Sequence, residues 1–572
     1  TMPNQGDFAF MSFLMPVLYP SNVQEVIDFG LYGWAMSRFS GCWIGFKVLP
    51  QLMDASASVS IDPGRIAINI PEFDFPPDGV NIRWPDDRFT PEARLLDFKL
   101  PAAQAFARAN KVDRVALGEG KRFGIVTCGK SYLDVLQALE ELGIDERRAN
   151  QLGISVLKLG LTWPIDPIGA KEFAEGREEI LVVEEKQPII QDQLRTLLYH
   201  LPENRRPRVV GQTDQEGRPV LSPKMDLDPL EVAQAIAKRL LALAPDTELE
   251  NRLAHVEAQL AQPKFSKTKL QRVPYFCSGC PHSSSIPRPK DSREMGGIGC
   301  HWMAVWHPEF DLEPSTQMGG EGANWVGQAR FTETDHVFQN LGDGTYYHSG
   351  YLAIRWAIST GTNITYKILY NDASAMTGGQ PVEGHPTVAM ITNQLHGEGV
   401  RRIAVVSDEP GKYPSNIGFA PGTSIHHRDE MEALQLELRD VKGVSVIVYD
   451  QTCAAEKRRR RKRGTLVDPN ARMFINDLVC EGCGDCSVQS NCISVEPIET
   501  EFGRKRHINQ SSCNKDYSCV AGFCPSFVTV EGGRLRKHKA KENVADLVAA
   551  LPQPKALDLD KPFNLVVTGI GG

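Results

Sequence analysis

Seven cysteines crowd the stretch from Cys480 to Cys524, and three more lie between Cys277 and Cys300, out of thirteen in the chain. That clustering constrains the fold more than any other feature. The apolar stretch from Phe8 to Tyr19 is short, contains Pro16 and has no basic flank. It reads as neither a signal peptide nor a membrane span. An extracellular disulfide framework is therefore not expected. In a cytoplasmic chain, clustered cysteines read as metal sites.

A length of 572 residues implies about three to five domains. Hydrophobic residues at 41% and charged residues at 23% place the chain among globular proteins. The net charge of −8, from 63 basic and 71 acidic residues, argues against a globally basic nucleic-acid binder. An α/β pattern begins at Arg122. Apolar runs predict strands at 123–128, 154–159 and 180–183, with helices over 129–142, 191–201 and 230–244. A second block predicts strands at 336–339, 365–370, 402–406 and 444–449. Repeated strand–helix alternation favours parallel sheets. Residues 457–463 are seven consecutive basic residues. They read as a solvated connector, or as a contact for an acidic partner or a coenzyme phosphate. Residues 564–572 form an apolar strand running into a glycine turn, as at the start of a nucleotide-type βαβ unit. With the opening at Thr1-Met2, this reads as a piece of a longer polypeptide.

The first chemical motif is Gly342-Asp343-Gly344, followed after 26 residues by Asn371-Asp372-Ala373. Each turn follows a predicted strand, at the end where α/β sheets bind ligands. The glycines admit a diphosphate close to the backbone. Asp343 and Asn371 supply the hard oxygens that Mg²⁺ prefers. The arrangement resembles the thiamine diphosphate motif, which implies Mg²⁺ held by Asp343, Asn371 and the carbonyl of Ala373.

The second motif is Cys480-x2-Cys483-x2-Cys486-x5-Cys492, then Cys513-x2-Asp516-x2-Cys519-x4-Cys524-Pro525. It resembles a two-cluster bacterial ferredoxin, where the fourth cysteine of each run serves the other cluster. One [4Fe–4S] cluster would take Cys480, Cys483, Cys486 and Cys524. The other would take Cys492, Cys513 and Cys519, with Asp516 in the second position. A carboxylate is a harder, weaker ligand for this iron than thiolate. That cluster is therefore expected to be labile at Asp516 and able to lose iron to give [3Fe–4S].

A third set is Cys277-x2-Cys280-Pro281-His282 with Cys300. Cys453, at the end of a predicted strand, is the candidate fourth ligand. His282 can touch the diphosphate or serve structure alone. Gly129-Lys130-Ser131 lacks the upstream glycine of a P-loop, so nucleoside triphosphate binding is not expected. Lys130 can still meet an anion at that helix start. The glycine-rich 317–322 segment is either cofactor-lining or a plain loop, and Cys42 and Cys128 read as core thiols.

The segments 277–282, 317–322, 338–344, 370–380 and 480–486 together resemble the fused, indolepyruvate-type members of the 2-oxoacid:ferredoxin oxidoreductases. The resemblance implies several thiamine-enzyme-type parallel-sheet domains and a small ferredoxin-like α+β iron–sulfur module. It also implies an order of parts. Residues 1–115 would end a pyrimidine-binding domain and 116–250 would be a transketolase C-terminal-type domain. Residues 251–269 would be a linker, 270–465 the diphosphate-binding domain and 466–535 the iron–sulfur module. Residues 536–572 would be a linker and the first strand of a further domain. The implied reaction converts an arylpyruvate and coenzyme A to an acyl-CoA and CO₂, with ferredoxin as electron acceptor. A cytoplasmic homodimer is expected, with no nucleic acid or membrane partner. The carboxylate that activates the cofactor lies, in that family, in a part of the pyrimidine domain this sequence does not contain, so no catalytic acid or base is assigned. Two other readings are a non-redox thiamine enzyme with structural zinc, and an electron-transfer subunit without catalysis.

Overall fold

Continuous burial along Phe123–Cys128, Ile154–Leu159 and Glu179–Val183 is what a parallel strand covered on both faces requires. In the computed structural model, which describes residues 5–62, 64–262, 273–534 and 548–552, these strands form the centre of a five-stranded sheet. Number its strands β1 (Arg114–Leu117), β2 (Phe123–Cys128), β3 (Ile154–Leu159), β4 (Glu179–Val183) and β5 (Arg208–Val210). The order is β1-β3-β2-β4-β5, parallel except for the edge strand β1. Helices Gly129–Glu141, Pro229–Leu243 and Thr247–Leu260 cover one face, and Pro167–Ala174 and Ile189–Leu198 the other. This sheet belongs to the first of two compact units, Thr1–Lys269 and Leu270–Gly572.

Ahead of the sheet, helix Val23–Ser40 is capped by Asn22, whose side chain accepts from the Glu25 N–H, and ends on Gly41 in the left-handed region. Phe29 and Met36 pack against Ala103 and Phe106 of helix Leu100–Ala109. The expected linker 251–269 is corrected over its first part. Helix Thr247–Leu260 is capped by Asp246 and buries Leu249 and Val256, seven residues apart and so on one face. Residues 263–269 lie outside the described residues, as does the expected segment 536–572 apart from 548–552.

The second unit holds a six-stranded, wholly parallel sheet. Its strands are β6 (Arg293–Met295), β7 (Val337–Gly342), β8 (Ile364–Tyr370), β9 (Arg402–Ser407), β10 (Ser424–His427) and β11 (Val444–Asp450). The order is β10-β9-β11-β8-β7-β6. Trp325, Tyr346, Ile354 and Ile391 pack on one face, and Met431, Leu434 and Leu438 on the other. A helix, Ala454–Arg463, then leads to the cysteine block. There β12 (Ala471–Ile475) pairs antiparallel with β15 (Phe527–Glu531), and β13 (Val495–Thr500) pairs with β14 (Gly503–Ile508). No helix among the described residues is long and apolar enough to cross a membrane.

Candidate functional site

Strands β7, β8 and β11 are neighbours in the sheet and end at one edge, and each delivers a residue that the motifs single out. Asp343 follows β7 directly and is buried. Its Oδ1 accepts the Gly344 N–H at 2.8 Å, and its Oδ2 accepts the N–H groups of Asn371 at 3.0 Å and Asp372 at 3.2 Å. Burial pushes the Asp343 carboxyl up to about 6 against these donors. Among the described residues no cationic side chain pairs with it. A buried carboxylate of this kind fits a bound divalent cation. Asn371 follows β8, and its Oδ1 accepts the Ala373 N–H at 3.3 Å. Ala373 is buried.

A Cβ on Gly344 would meet Ser374 Oγ at 3.7 Å, and one on Gly342 the Ile298 carbonyl oxygen at 3.7 Å, both ordinary van der Waals contacts, so the protein's own packing does not demand glycine at either place. Gly322 differs: a Cβ would strike the Tyr366 hydroxyl at 2.2 Å. In the 317–322 loop the buried Glu321 carboxylate accepts the Gly319 N–H at 2.6 Å. Close packing accounts for that loop's glycines.

His282 is buried, with its Nδ1 unpartnered, and burial pushes it down to about 4, so it is neutral at pH 7. Its ring lies 5.5 Å from that of His301, whose Nε2 is likewise unpartnered and whose Cε1 borders Gly342. Two neighbouring neutral imidazoles thus each keep an unpartnered ring nitrogen, with His301 the one that borders the turn. His301 was not singled out from the sequence. A single histidine after a cysteine carries no spacing signal.

The thiols of Cys277, Cys280, Cys300 and Cys453 lie within electrostatic reach of one another. Burial, and then the neighbouring sulfurs, push Cys300 up to about 11. The Cys453 N–H donates to the Asn371 carbonyl at 2.9 Å. The four-cysteine set therefore borders the Asp343–Asn371 turns. Among the described residues no three His, Cys, Asp or Glu side chains converge to hold a single metal ion.

The cysteine block contains a repeat that spacing alone does not reveal. Gly482 N–H donates to Cys480 Sγ and Lys515 N–H to Cys513 Sγ, both at 3.4 Å. Cys480 N–H donates to the Asn476 carbonyl, as Cys513 N–H does to that of Asn509, both at 2.9 Å. Asn476 N–H in turn reaches the Ser526 carbonyl at 2.7 Å, and Asn509 N–H that of Ser494 at 2.8 Å. Ser526 and Ser494 each lie two residues past the cysteine taken from the other run, Cys524 and Cys492. The residues at the second and fourth places after the first cysteine have positive φ in both loops: Gly482 (73°) and Gly484 (83°), Lys515 (54°) and Tyr517 (63°). N–H groups aimed at cysteine sulfur suit cluster ligation. Cys486 lies near Cys480 and Cys483, and Cys519 near Cys492 and Cys513. Asp516 holds the place that Cys483 holds in the first loop. Its carboxylate, however, meets Arg428 and Gln451 of the diphosphate-type domain.

The basic run is helical, and four of its seven residues, Lys457, Arg459, Arg460 and Arg461, meet carboxylates. Lys457 pairs with Asp408 at 2.6 Å, Arg460 with Asp372 at 2.6 Å and with Glu456 at 3.1 Å, and Arg461 donates to the Asn514 carbonyl at 2.7 Å. It links the loops at the sheet edge to the cysteine block. In the first unit, Lys130 is held by Asp134 at 2.8 Å, Glu185 at 3.2 Å and the Leu227 carbonyl at 3.1 Å. Cys42 and Cys128 are buried, as expected of core thiols.

Comparison with known proteins places the chain among relatives. Residues 113–262 match the family described as the indolepyruvate oxidoreductase domain. The indolepyruvate oxidoreductase subunit IorA of Thermococcus kodakarensis is 27% identical over 397 residues, 66% of this chain and 56% of that protein. This chain is similar in sequence to the indolepyruvate oxidoreductases. IorA of Methanothermobacter thermautotrophicus is 26% identical over 510 residues, 82% of this chain and 75% of that protein. The chain thus spans little more than half of the Thermococcus relative. Among solved structures, a 2-oxoglutarate:ferredoxin oxidoreductase from Magnetococcus marinus covers 33% of this chain at 19% identity, with a TM-score of 0.24 and 69% of its own length. The family match lies on the five-stranded sheet of the first unit. The indolepyruvate oxidoreductase relatives extend over a larger share of the chain than that family does.

Proposed function

We propose that the chain performs oxidative decarboxylation of a 2-oxo acid, an arylpyruvate such as indolepyruvate, with coenzyme A and ferredoxin. A 2-oxo acid and the thiol give an acyl thioester, CO₂ and a proton. Two electrons leave singly, through iron–sulfur clusters, to two oxidised ferredoxins. The bond to the carboxylate breaks and a C–S bond forms at the former oxo carbon. Thiamine diphosphate, when bound, supplies the carbon nucleophile and stabilises the charge left as CO₂ departs.

The chain's own residues hold and connect. Asp343, Asn371 and the Ala373 carbonyl would hold Mg²⁺ at the turns that follow β7 and β8. The unpartnered ring nitrogens of His282 and His301 would donate to diphosphate oxygens in the tautomers that protonate them. Cys277, Cys280, Cys300 and Cys453 would carry the cluster nearest the cofactor. Cys480, Cys483, Cys486 and Cys524 would carry a second cluster, and Cys492, Cys513 and Cys519, with Asp516 beside them, a third. The domain limits drawn from the sequence, a cytoplasmic homodimer and the ferredoxin-like character of 466–535 belong to this reading. The observation that carries it is the Cys453–Asn371 hydrogen bond at 2.9 Å, which joins the metal turn to the cysteine set.

The test is anaerobic mixing with thiamine diphosphate, Mg²⁺, indolepyruvate and coenzyme A. The expected result is bleaching of cluster absorbance by substrate alone, with indoleacetyl-CoA detected by mass spectrometry. Release of CO₂ with no bleaching would leave a non-redox thiamine enzyme.

A further inference from the structure

The two ferredoxin-type loops share backbone geometry but differ in one corner. Lys515 and Tyr517 take the left-handed conformation that Gly482 and Gly484 take in the first loop. That conformation is strained for residues with side chains and persists only where the surroundings impose it. The loop is therefore built to present three cysteines, Cys513, Cys519 and the incoming Cys492, with Asp516 at the remaining corner.

Asp516 is already occupied. Its Oδ1 accepts from Arg428 Nη1 at 2.7 Å and from Gln451 Nε2 at 2.8 Å, and its backbone carbonyl accepts from Arg428 Nη2 at 2.8 Å. The side chains of Arg428 and Asp516 are only 11% and 10% exposed. Gln451 is fixed in turn, since its Oε1 accepts from the Tyr449 hydroxyl at 3.0 Å, which lies 2.6 Å from Ser284 Oγ. Against Asp516 also packs Gly279 of the 277–280 loop, where a Cβ would approach Asp516 Cβ to 2.7 Å. Rotating the carboxylate to bring it onto iron would break the two Oδ1 bonds and leave the buried Arg428 guanidinium with only the Asp516 backbone carbonyl, a costly state. The gain would be a single oxygen ligand, weaker for this iron than thiolate.

We propose that Arg428 and Gln451 hold Asp516 away from iron, so that the Cys492–Cys513–Cys519 site carries a [3Fe–4S] cluster. Asp516 is then a positioning residue that ties the cysteine block to the diphosphate-type domain. This rests on the iron–sulfur reading above, and the test separates the two.

The experiment is electron paramagnetic resonance on the anaerobically purified, oxidised chain, before and after reduction with excess Fe²⁺ and reoxidation. The wild-type protein is expected to show a [3Fe–4S] signal stoichiometric with chain and to keep it. Asp516→Asn, which preserves the ties to Arg428 and Gln451 but is a poor iron ligand, should match it. Asp516→Cys should lose the signal and gain a fourth iron at that site. Arg428→Gln should lose the signal on Fe²⁺ treatment. If the wild-type signal vanishes with Fe²⁺ while that of Asp516→Asn survives, Asp516 reaches iron with Arg428 in place and the proposal is overturned. Iron on elemental analysis with no [3Fe–4S] signal in the oxidised wild-type protein would overturn this proposal alone; absence of iron would overturn the iron–sulfur reading itself, and this proposal with it.

Discussion

Cys453 donates its backbone N–H to the carbonyl oxygen of Asn371 across 2.9 Å. Strands β11 and β8 are hydrogen-bonded neighbours from Ile364–Val444 to Tyr370–Asp450, so the loops leaving them start side by side. The same register that aligns the strands brings a cysteine of the four-thiol set against the metal-type turn. Electron transfer from cofactor to cluster within one chain requires this proximity.

Asp343→Asn tests the turn. The amide cannot supply a charged oxygen to Mg²⁺, and it faces three N–H donors with one oxygen instead of two. Loss of a neighbour of a metal ligand typically costs about 10–100-fold in affinity, and loss of the ligand itself should cost at least that. Isothermal titration with thiamine diphosphate and Mg²⁺ should show a drop of about 100-fold or more. The visible spectrum should not change.

Cys453→Ser should remove the cluster nearest the turn and spare cofactor binding, because the bond to Asn371 comes from the backbone. The expected result is iron content reduced by one cluster with thiamine diphosphate affinity within about threefold of wild type, an allowance under 1 kcal/mol. A parallel loss of cofactor binding would mean that the cysteine side chain supports the turn.

Much of this site was legible in the sequence, for a physical reason. Buried parallel strands read as unbroken apolar runs, so β2, β3, β8 and β9 were placed to within a residue or so of their observed ends. The turns after β7 and β8 carry glycine and hard-oxygen residues whose chemistry shows at a glance. What stayed hidden depends on distant parts of the chain. Arg428 and Asp516 are 88 positions apart; Asp516 stands out in its cysteine run, but nothing around Arg428 in the sequence points to the pairing. Lys367, within β8, is fully buried against Glu294 of β6, although its segment reads as part of an apolar run. The short edge strands β6 and β10 lack a run long enough to detect. The 251–260 part of helix Thr247–Leu260 reads as linker because the helix's burial rests on two widely spaced residues, Leu249 and Val256, among many charges.

Leu249→Ala checks that helix. A buried leucine truncated to alanine costs about 2–5 kcal/mol, and a residue of an unpacked helix would cost almost nothing. Urea denaturation followed by far-ultraviolet circular dichroism should show a fall in the first unit's midpoint. Glu248→Ala, at an exposed position of the same helix, should stay within about 0.5 kcal/mol.

Glu184 should give the first unit a distinctive pH dependence. Its carboxylate oxygens accept from the N–H groups of Ile190 and Gln191, both at 2.8 Å, yet burial pushes it up to about 7. The folded state therefore binds a proton that the unfolded state releases between about pH 4.3 and 7. Stability from this group is greatest below that window and is lost as pH rises through it, by up to about 1.4 kcal/mol per pH unit. Glu184→Gln should flatten the slope in denaturation curves collected from pH 5 to 8, taken in steps of about one unit. An unchanged slope would assign the dependence to another group.

The most direct measurement is iron and zinc analysis with an anaerobic visible spectrum on one sample of the chain. The account predicts a brown protein, iron far above zinc, and absorbance that bleaches with dithionite through cysteine-ligated clusters. A colourless protein rich in zinc would contradict it, leaving the Asp343–Asn371 turn without electron carriers to serve.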